Sequence, residues 1–285
     1  MSEEQGLSSD AVGLQVGPVA HAIDARWLMA YAAGLGETDA RYFETRGAAG
    51  PRAHPMFPVC YEWPLALQIH KQIASVELQR RSVHAAHDLT IHRPPRAGET
   101  LLTTARVISI AERRPGAFMV VRYETADADG ARVTTTDYGS IYRGVAVTGP
   151  DREETPWTTG DQPAETLPAV ATVTVPATLA HVYTECARIW NPIHTDIAAA
   201  QRAGLPDIIL HGTATLALSV SRVLDARGAD PGRVRRIACR FTGMVRVPST
   251  FTVCARLGPA PASPTHFHAV GADGQRVLSH GALYL

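Results

Sequence analysis

The sequence predicts an α+β protein made of two repeats, each a long central helix wrapped by an antiparallel β-sheet. Three observations carry that expectation. The chain repeats itself: Ala128-Asp129-Gly130-Ala131-Arg132-Val133 in one half is echoed by Ala272-Asp273-Gly274-Gln275-Arg276-Val277 in the other. Each half passes from helical stretches into segments that alternate apolar and polar residues with a period of two, the mark of half-buried strands. Between the halves, residues 148–168 are rich in Pro, Thr, Glu, Asp and Gly and lack apolar periodicity, which reads as an exposed connector.

The organisation expected along the chain is a flexible tail over 1–15, a first unit over 16–147, a linker over 148–168 and a second unit over 169–285. The opening MSEEQGLSSD is acidic and polar, unlike a signal peptide with its basic start and apolar core. In the second unit, 177–188 and 195–203 read as helices and 210–224 as a long apolar helix with Gly212 near its start. Residues 235–242, 251–257, 266–270 and 276–285 read as strands. Asp-Gly between apolar runs is a hairpin signal. Each repeated turn leads into a last strand, ending Gly139-Ser140-Ile141-Tyr142 or Gly281-Ala282-Leu283-Tyr284. Upstream, His87-Asp88-Leu89-Thr90 has the layout of Cys239-Arg240-Phe241-Thr242. Two units so alike are expected to pair as two subunits would.

Composition narrows the function classes. Lys+Arg and Asp+Glu number 27 each, with no block of like charge, so neither a nucleic-acid groove nor an anionic membrane surface has an electrostatic footprint. A small-molecule partner is expected. No apolar run approaches the roughly 20 residues that cross a bilayer. Cys60, Cys186, Cys239 and Cys254 are scattered and the 12 histidines form no ligand spacing, so neither metal nor cofactor is expected. A soluble, cytoplasmic protein with free thiols is the expectation.

Asn191-Pro192-Ile193-His194-Thr195-Asp196, followed by Ile209-Leu210-His211-Gly212-Thr213, resembles the hydratase motif of MaoC-like proteins and (R)-specific enoyl-CoA hydratases. In the first half, Tyr31 to Glu37, Pro51 to Pro58, His84 to Asp88 and Arg93 to Glu99 look like a MaoC-type dehydratase N-terminal domain. The resemblance implies a double hot-dog fold and reversible syn hydration of a trans-2-enoyl thioester on coenzyme A or a carrier protein. It implies that His194 handles the proton, that Asn191 helps hold the water, and that the helix start at His211, Gly212 and Thr213 meets the thioester oxygen. That last role suits the free N–H groups and positive dipole end of a helix N-terminus.

One departure stands out. Counting back from Asn191, the family's catalytic Asp falls at Ile189 and the preceding Gly at Arg188. Ile189 can line the substrate but cannot accept a proton. Three carboxylates are candidates to replace the missing one. Glu185 lies one helical turn before Ile189 and so on the same face of a continuous helix. Glu37 aligns with the missing Asp in the first half, where Tyr42 takes the place of His. Glu62 is an isolated charge on the apolar first-half helix, costly unless it has a purpose. Asp196 is expected only to favour the start of its helix. His84, His87 and His92 read as structural or rim residues, and Arg93 and Arg96 are candidates for coenzyme A phosphates. Three functions stay open: a hydro-lyase, a diverged thioesterase or isomerase/cyclase, and a silent acyl-thioester-binding partner. A homodimer is compatible with each.

Overall fold

A computed structural model of the 285-residue chain describes residues 6–155, 157, 166–258 and 263–285. The first half contains β1 (Leu7–Ser8), β2 (Gln15–Ile23), α1 (Ala25–Gly34), α2 (Pro58–Ile73), α3 (Val76–Arg81), β3 (Ser82–Ile91), β4 (Glu99–Arg113), β5 (Gly116–Ala126), β6 (Arg132–Arg143), β7 (Val147–Thr148) and β8 (Arg152–Glu153). The second half contains β9 (Ala169–Val175), α4 (Leu179–Ala187), α5 (Ile197–Arg202), α6 (Gly212–Arg227), β10 (Arg236–Phe241), β11 (Ser249–Arg256), β12 (Thr265–Gly271) and β13 (Arg276–Tyr284).

The main strands form one sheet in the order β2-β4-β5-β6-β3-β10-β13-β12-β11-β9, with β8 added on β4. The two halves meet where β3 pairs antiparallel with β10. There His87 stands opposite Cys239, and these are the residues that the internal repeat equates. Self-pairing of equivalent positions is what a pseudo-two-fold axis through the junction requires. Asp88 and Arg236 brace the junction with two hydrogen bonds of 2.8 and 2.5 Å.

Each half wraps its sheet round one helix, α2 or α6. The second is buried on almost every side, covering Ala214, Leu216, Ala217, Leu218, Val220, Val223 and Leu224 together with Thr215, Ser219 and Ser221. Each large aliphatic side chain so buried contributes about 1.5–3 kcal/mol. The repeated turns end in Gly130 and Gly274 at φ +83° and +78°, left-handed positions that glycine occupies at little cost.

Two expectations are corrected. The flexible tail is already ordered from residue 6, because Leu7–Ser8 pairs parallel with Val147–Thr148 and Leu7 is fully buried. Residues 1–5 lie outside the described residues. The linker is not wholly free either. Arg152 and Glu153 pair with Ile110 and Ser109 of β4, and Trp157 packs edge-on to Phe118. Its centre, 158–165, is outside the described residues. Strand β9 was not among the expected strands; its Ala169–Val175 alternates only weakly, with two buried positions of seven.

Across the two halves, α1 lies against α4 at a close approach. A Cβ added at Gly34 would sit 2.7 Å from the Cβ of Cys186. Helix propensity alone favours alanine over glycine by about 1 kcal/mol, but overpacking costs about 1–3 kcal/mol. Gly34→Ala is therefore expected to lower stability in urea unfolding; an increase would show that the α1–α4 spacing is not rigid.

Candidate active site

Helix α4 ends at Ala187, and its cap, Arg188, is left-handed at φ +58°. A non-glycine residue pays about 1–2 kcal/mol for that conformation, and the Arg188 guanidinium offsets part of it by lying 4.1 Å from the Trp27 ring centre. The turn sends Ile189 into the core while Glu185 stays on the exposed surface of the helix. The shared face expected for Glu185 and Ile189 is thereby lost, because the helix stops before Ile189 is reached.

The chain then tightens into a 3₁₀ turn, Pro192–His194, which the Asn191 side chain caps by accepting from the Ile193 N–H at 3.4 Å. Asp196 caps α5 by accepting from the Ala199 N–H at 3.0 Å. His194 is thus held between two caps. Its Nδ1 donates to the Ile209 carbonyl at 2.8 Å. That bond assigns the ring proton to Nδ1 and leaves Nε2 as a lone-pair acceptor without a protein partner among the described residues.

The His194 ring stacks on His211, with centroids 3.6 Å apart and planes at 25°. His211 is the residue before α6, and its Nε2 lies 3.2 Å from the Thr184 hydroxyl. Its Nδ1 is buried without a hydrogen-bond partner. Burial pushes the His194 pKa down to about 4, with the Ile209 bond working the other way. His211 is lowered as well, by burial first and then by the neighbouring His194. Both rings are therefore neutral at neutral pH.

Beside them, α6 begins with N–H groups that no side chain caps. Gly212 has to be small: a Cβ there would lie 3.1 Å from the Phe241 ring. Phe241 in turn packs on His84 of the first half, at 4.2 Å between ring centroids. Thr213 accepts from the Tyr183 hydroxyl at 3.1 Å, Tyr183 lies 3.4 Å from the Tyr31 hydroxyl, and Tyr31 donates to the Met56 carbonyl at 3.1 Å. This chain of hydroxyls ties the start of α6 to the first half. A cleft of about 380 Å³ opens alongside, lined by His181, Thr184, Glu185, Trp190, Asn191, Pro192 and Thr195.

None of the three candidate carboxylates contacts His194. Glu185 faces the cleft, 3.5 Å from the Trp190 indole nitrogen. Glu37 accepts from Ser221, which stands nine residues beyond Gly212, about 13 Å along α6 at 1.5 Å per residue. The same Ser221 lies 3.1 Å from the buried His54 Nε2. Glu62 accepts from Thr136 in the first-half sheet at 2.5 Å, and its second oxygen has no partner. Burial raises Glu62 to about 8, so it is largely protonated in the folded chain. Arg93, expected at a phosphate, is instead held at 2.8 Å by both Glu99 and Asp127, which neutralise it as a brace of the loop. Arg96 is exposed on the same loop.

Thr184, Tyr183 and Trp190 join the site without having been expected there. Trp190 carried a signal, a large aromatic directly before the motif Asn191. Thr184 and Tyr183 carried none, because their partners are brought up through space.

The comparisons with known proteins agree with this architecture. The MaoC like domain family matches residues 159–258, and the FAS1-like dehydratase domain region matches residues 10–136. The crystal structure of a MaoC-like dehydratase from Phytophthora capsici superposes with a TM-score of 0.81 over 96% of each chain, at 20% identity. The full-length peroxisomal multifunctional enzyme type 2 of Drosophila melanogaster superposes with a TM-score of 0.72 at 25% identity, covering 94% of this chain and 48% of that one. These define the class as double hot-dog proteins. The second half carries a match to the MaoC like domain and the first half a match to the FAS1-like dehydratase domain region.

In sequence, the Drosophila enzyme is 31% identical over 150 residues, 51% of this chain and 25% of the relative. Fatty acid synthase subunit beta of Aspergillus oryzae is 38% identical over 103 residues, 35% of this chain and 4% of the relative. The chain thus spans a quarter or less of the length of these curated relatives.

Buried histidines set an acid limit on stability. His54 is lowered by burial to about 3, and His70, His87 and His194 to about 4. An unfolded histidine titrates near 6.5, so between these values the unfolded chain binds protons that the folded chain refuses. Stability is full above about pH 6.5 and is lost as pH falls through about 4. Glu62 acts in the opposite sense, its contribution being lost as pH rises from about 4.5 towards 8. Denaturant midpoints are expected to fall from pH 7 to pH 5, and the stability of Glu62→Gln relative to the parent is expected to grow from pH 5 to pH 8. A difference that stays flat or shrinks with pH would mean that Glu62 is ionised in the fold.

Proposed function

We propose that the protein hydrates trans-2-enoyl thioesters, and dehydrates the 3-hydroxyacyl products, with His194 as the single proton-transfer group. The observation that supports this is the pairing of an unpartnered His194 Nε2 with the uncapped start of α6. Water adds its oxygen to C3 and gives its proton to Nε2. The C2=C3 electrons move towards the thioester oxygen, which the Gly212 and Thr213 N–H groups meet as charge develops. The imidazolium then returns the proton to C2. Syn addition puts both transfers on one face, so one imidazole serves where a carboxylate and an imidazole would share the work. Asn191 keeps its amide N–H donors for the water while its oxygen caps the turn. Ile189 contributes an apolar wall, and His211 supports the ring of His194.

The low pKa has a cost. A base near 4 is neutral and ready at pH 7 but has less drive to take a proton than one poised near 7. A modest kcat follows. The acyl group is carried on coenzyme A or a carrier protein. The reading includes a reducing cytoplasmic setting, supported by four unpaired cysteines. It also includes a homodimer, for which exposed Val182, Trp190 and Ile197 offer apolar contact area. No helix among the described residues is long and apolar enough to cross a membrane.

The test is hydration of crotonyl-CoA by purified protein, followed by loss of the enoyl absorbance. His194→Gln is expected to lower kcat by about 10²- to 10⁴-fold with little change in KM. In the parent, kcat/KM should be flat near neutrality and fall only as pH approaches 4. Release of free thiol would point to a thioesterase, and tight binding without turnover to a silent acyl-thioester partner.

A further inference from the structure

A second cleft, of about 460 Å³, lies at the other end of α5 and is lined by Glu77, Arg80, Arg81, Arg143, Arg202 and Ala203. Four guanidinium groups from three separate segments converge there against one carboxylate, in a chain whose formal net charge is zero. Arg80 and Arg81 come from α3, Arg143 from the end of β6, and Arg202 from the end of α5. Arg81 reaches the Gly144 carbonyl at 3.3 Å, which ties α3 to the end of β6. Arg80, Arg143 and Arg202 are exposed and make no ion pair with a described carboxylate, whereas Arg41, Arg93, Arg106, Arg113 and Arg122 of the first half each do. Bringing like charges together without partners costs free energy unless an anion joins them.

We propose that Arg80, Arg143 and Arg202, with Arg81 as the wall between them, bind the phosphate groups of a coenzyme A thioester whose acyl end lies at His194. The inference rests on the hydratase reading for the identity of the acyl end, but the phosphate site stands on its own geometry. Guanidinium forks match phosphate oxygens in pairs, so several of them in a concave setting favour a compact polyanion. Helix α5 links the two places: Thr195, beside its first turn, lines the catalytic cleft, and Arg202, its last residue, lines the arginine cleft. Six helical residues span about 9 Å, which the pantetheine arm of coenzyme A exceeds. An acidic carrier protein is the less suitable occupant. Protein interfaces are anchored by large apolar or aromatic side chains, and this cleft offers only Ala203.

The probes are coenzyme A by calorimetry and three substrates by kinetics: crotonyl-CoA, a crotonyl carrier-protein thioester, and the crotonyl thioester of N-acetylcysteamine, which has no phosphate. In the triple variant Arg80→Ser/Arg143→Ser/Arg202→Ser, coenzyme A affinity is expected to fall at least tenfold. KM for crotonyl-CoA should rise by a similar factor at unchanged kcat, with no change for the phosphate-free thioester. The parent's coenzyme A affinity should weaken steeply with added salt, and the variant's should not. Unchanged coenzyme A affinity in a folded variant overturns the proposal, as does a variant that loses only the use of a carrier-protein thioester. If no substrate turns over and calorimetry still shows the loss, the phosphate site stands and the hydratase reading falls.

Discussion

The antiparallel pairing of β3 with β10 is the constraint on which the rest of the molecule depends. It joins two five-stranded curls into one sheet, and by joining them at self-equivalent residues it dictates where every other element of one half meets the other. Helices α1 and α4 are then forced into the contact that Gly34 permits. Phe241, on the junction strand, is forced under Gly212 at the start of α6, with His84 from the first half behind it. The site is therefore a second-half site with a first-half floor.

Within that frame, the chemistry is governed by what was removed. A carboxylate next to His194 would have held its imidazole charged part of the time and raised its pKa. With Ile189 in the core and His211 stacked on the ring, burial acts unopposed except for one carbonyl, and the ring stays neutral. The same desolvation that weakens it as a base strengthens the interaction of the helix start with a developing oxyanion, since fewer water dipoles compete. In the proposed hydration the two effects oppose each other, the first acting on the base and the second on the developing oxyanion.

Much of this was legible in the sequence where the signal was local. The expected 210–224 helix is Gly212–Arg227, the expected last strand is Arg276–Tyr284, and Asp196 caps its helix as its position suggested. Motif residues Asn191, His194, His211 and Gly212 do come together. What failed was inference across a helix end or through space. Glu185 shares a face with Ile189 only if α4 continues; Arg188 itself gives no sign of turning left-handed, and the one hint was that the resembled motif has glycine at that position. Glu37, Glu62 and Arg93 found partners in Ser221, Thr136 and Asp127, each contributed by a distant element, and spacing along the chain carries no trace of those meetings. The start of the chain looked loose because its composition is polar, yet two backbone pairs and one buried leucine suffice to hold it.

Covalent continuity between the halves also changes what substitution can do. In a symmetric pair of identical subunits every change occurs twice, and a residue needed on one side of the axis cannot be lost on the other. Here the equivalent positions are separate codons: Glu37 persists in one half while its counterpart has become Ile189, and Tyr42 stands where the other half keeps His194. Dilution cannot separate the halves either, so the entropy of bringing two bodies together is met once, during folding. One half is thereby released to serve as scaffold, and its buried polar groups are free to drift towards structural partners while the other keeps the histidine pair of the candidate site.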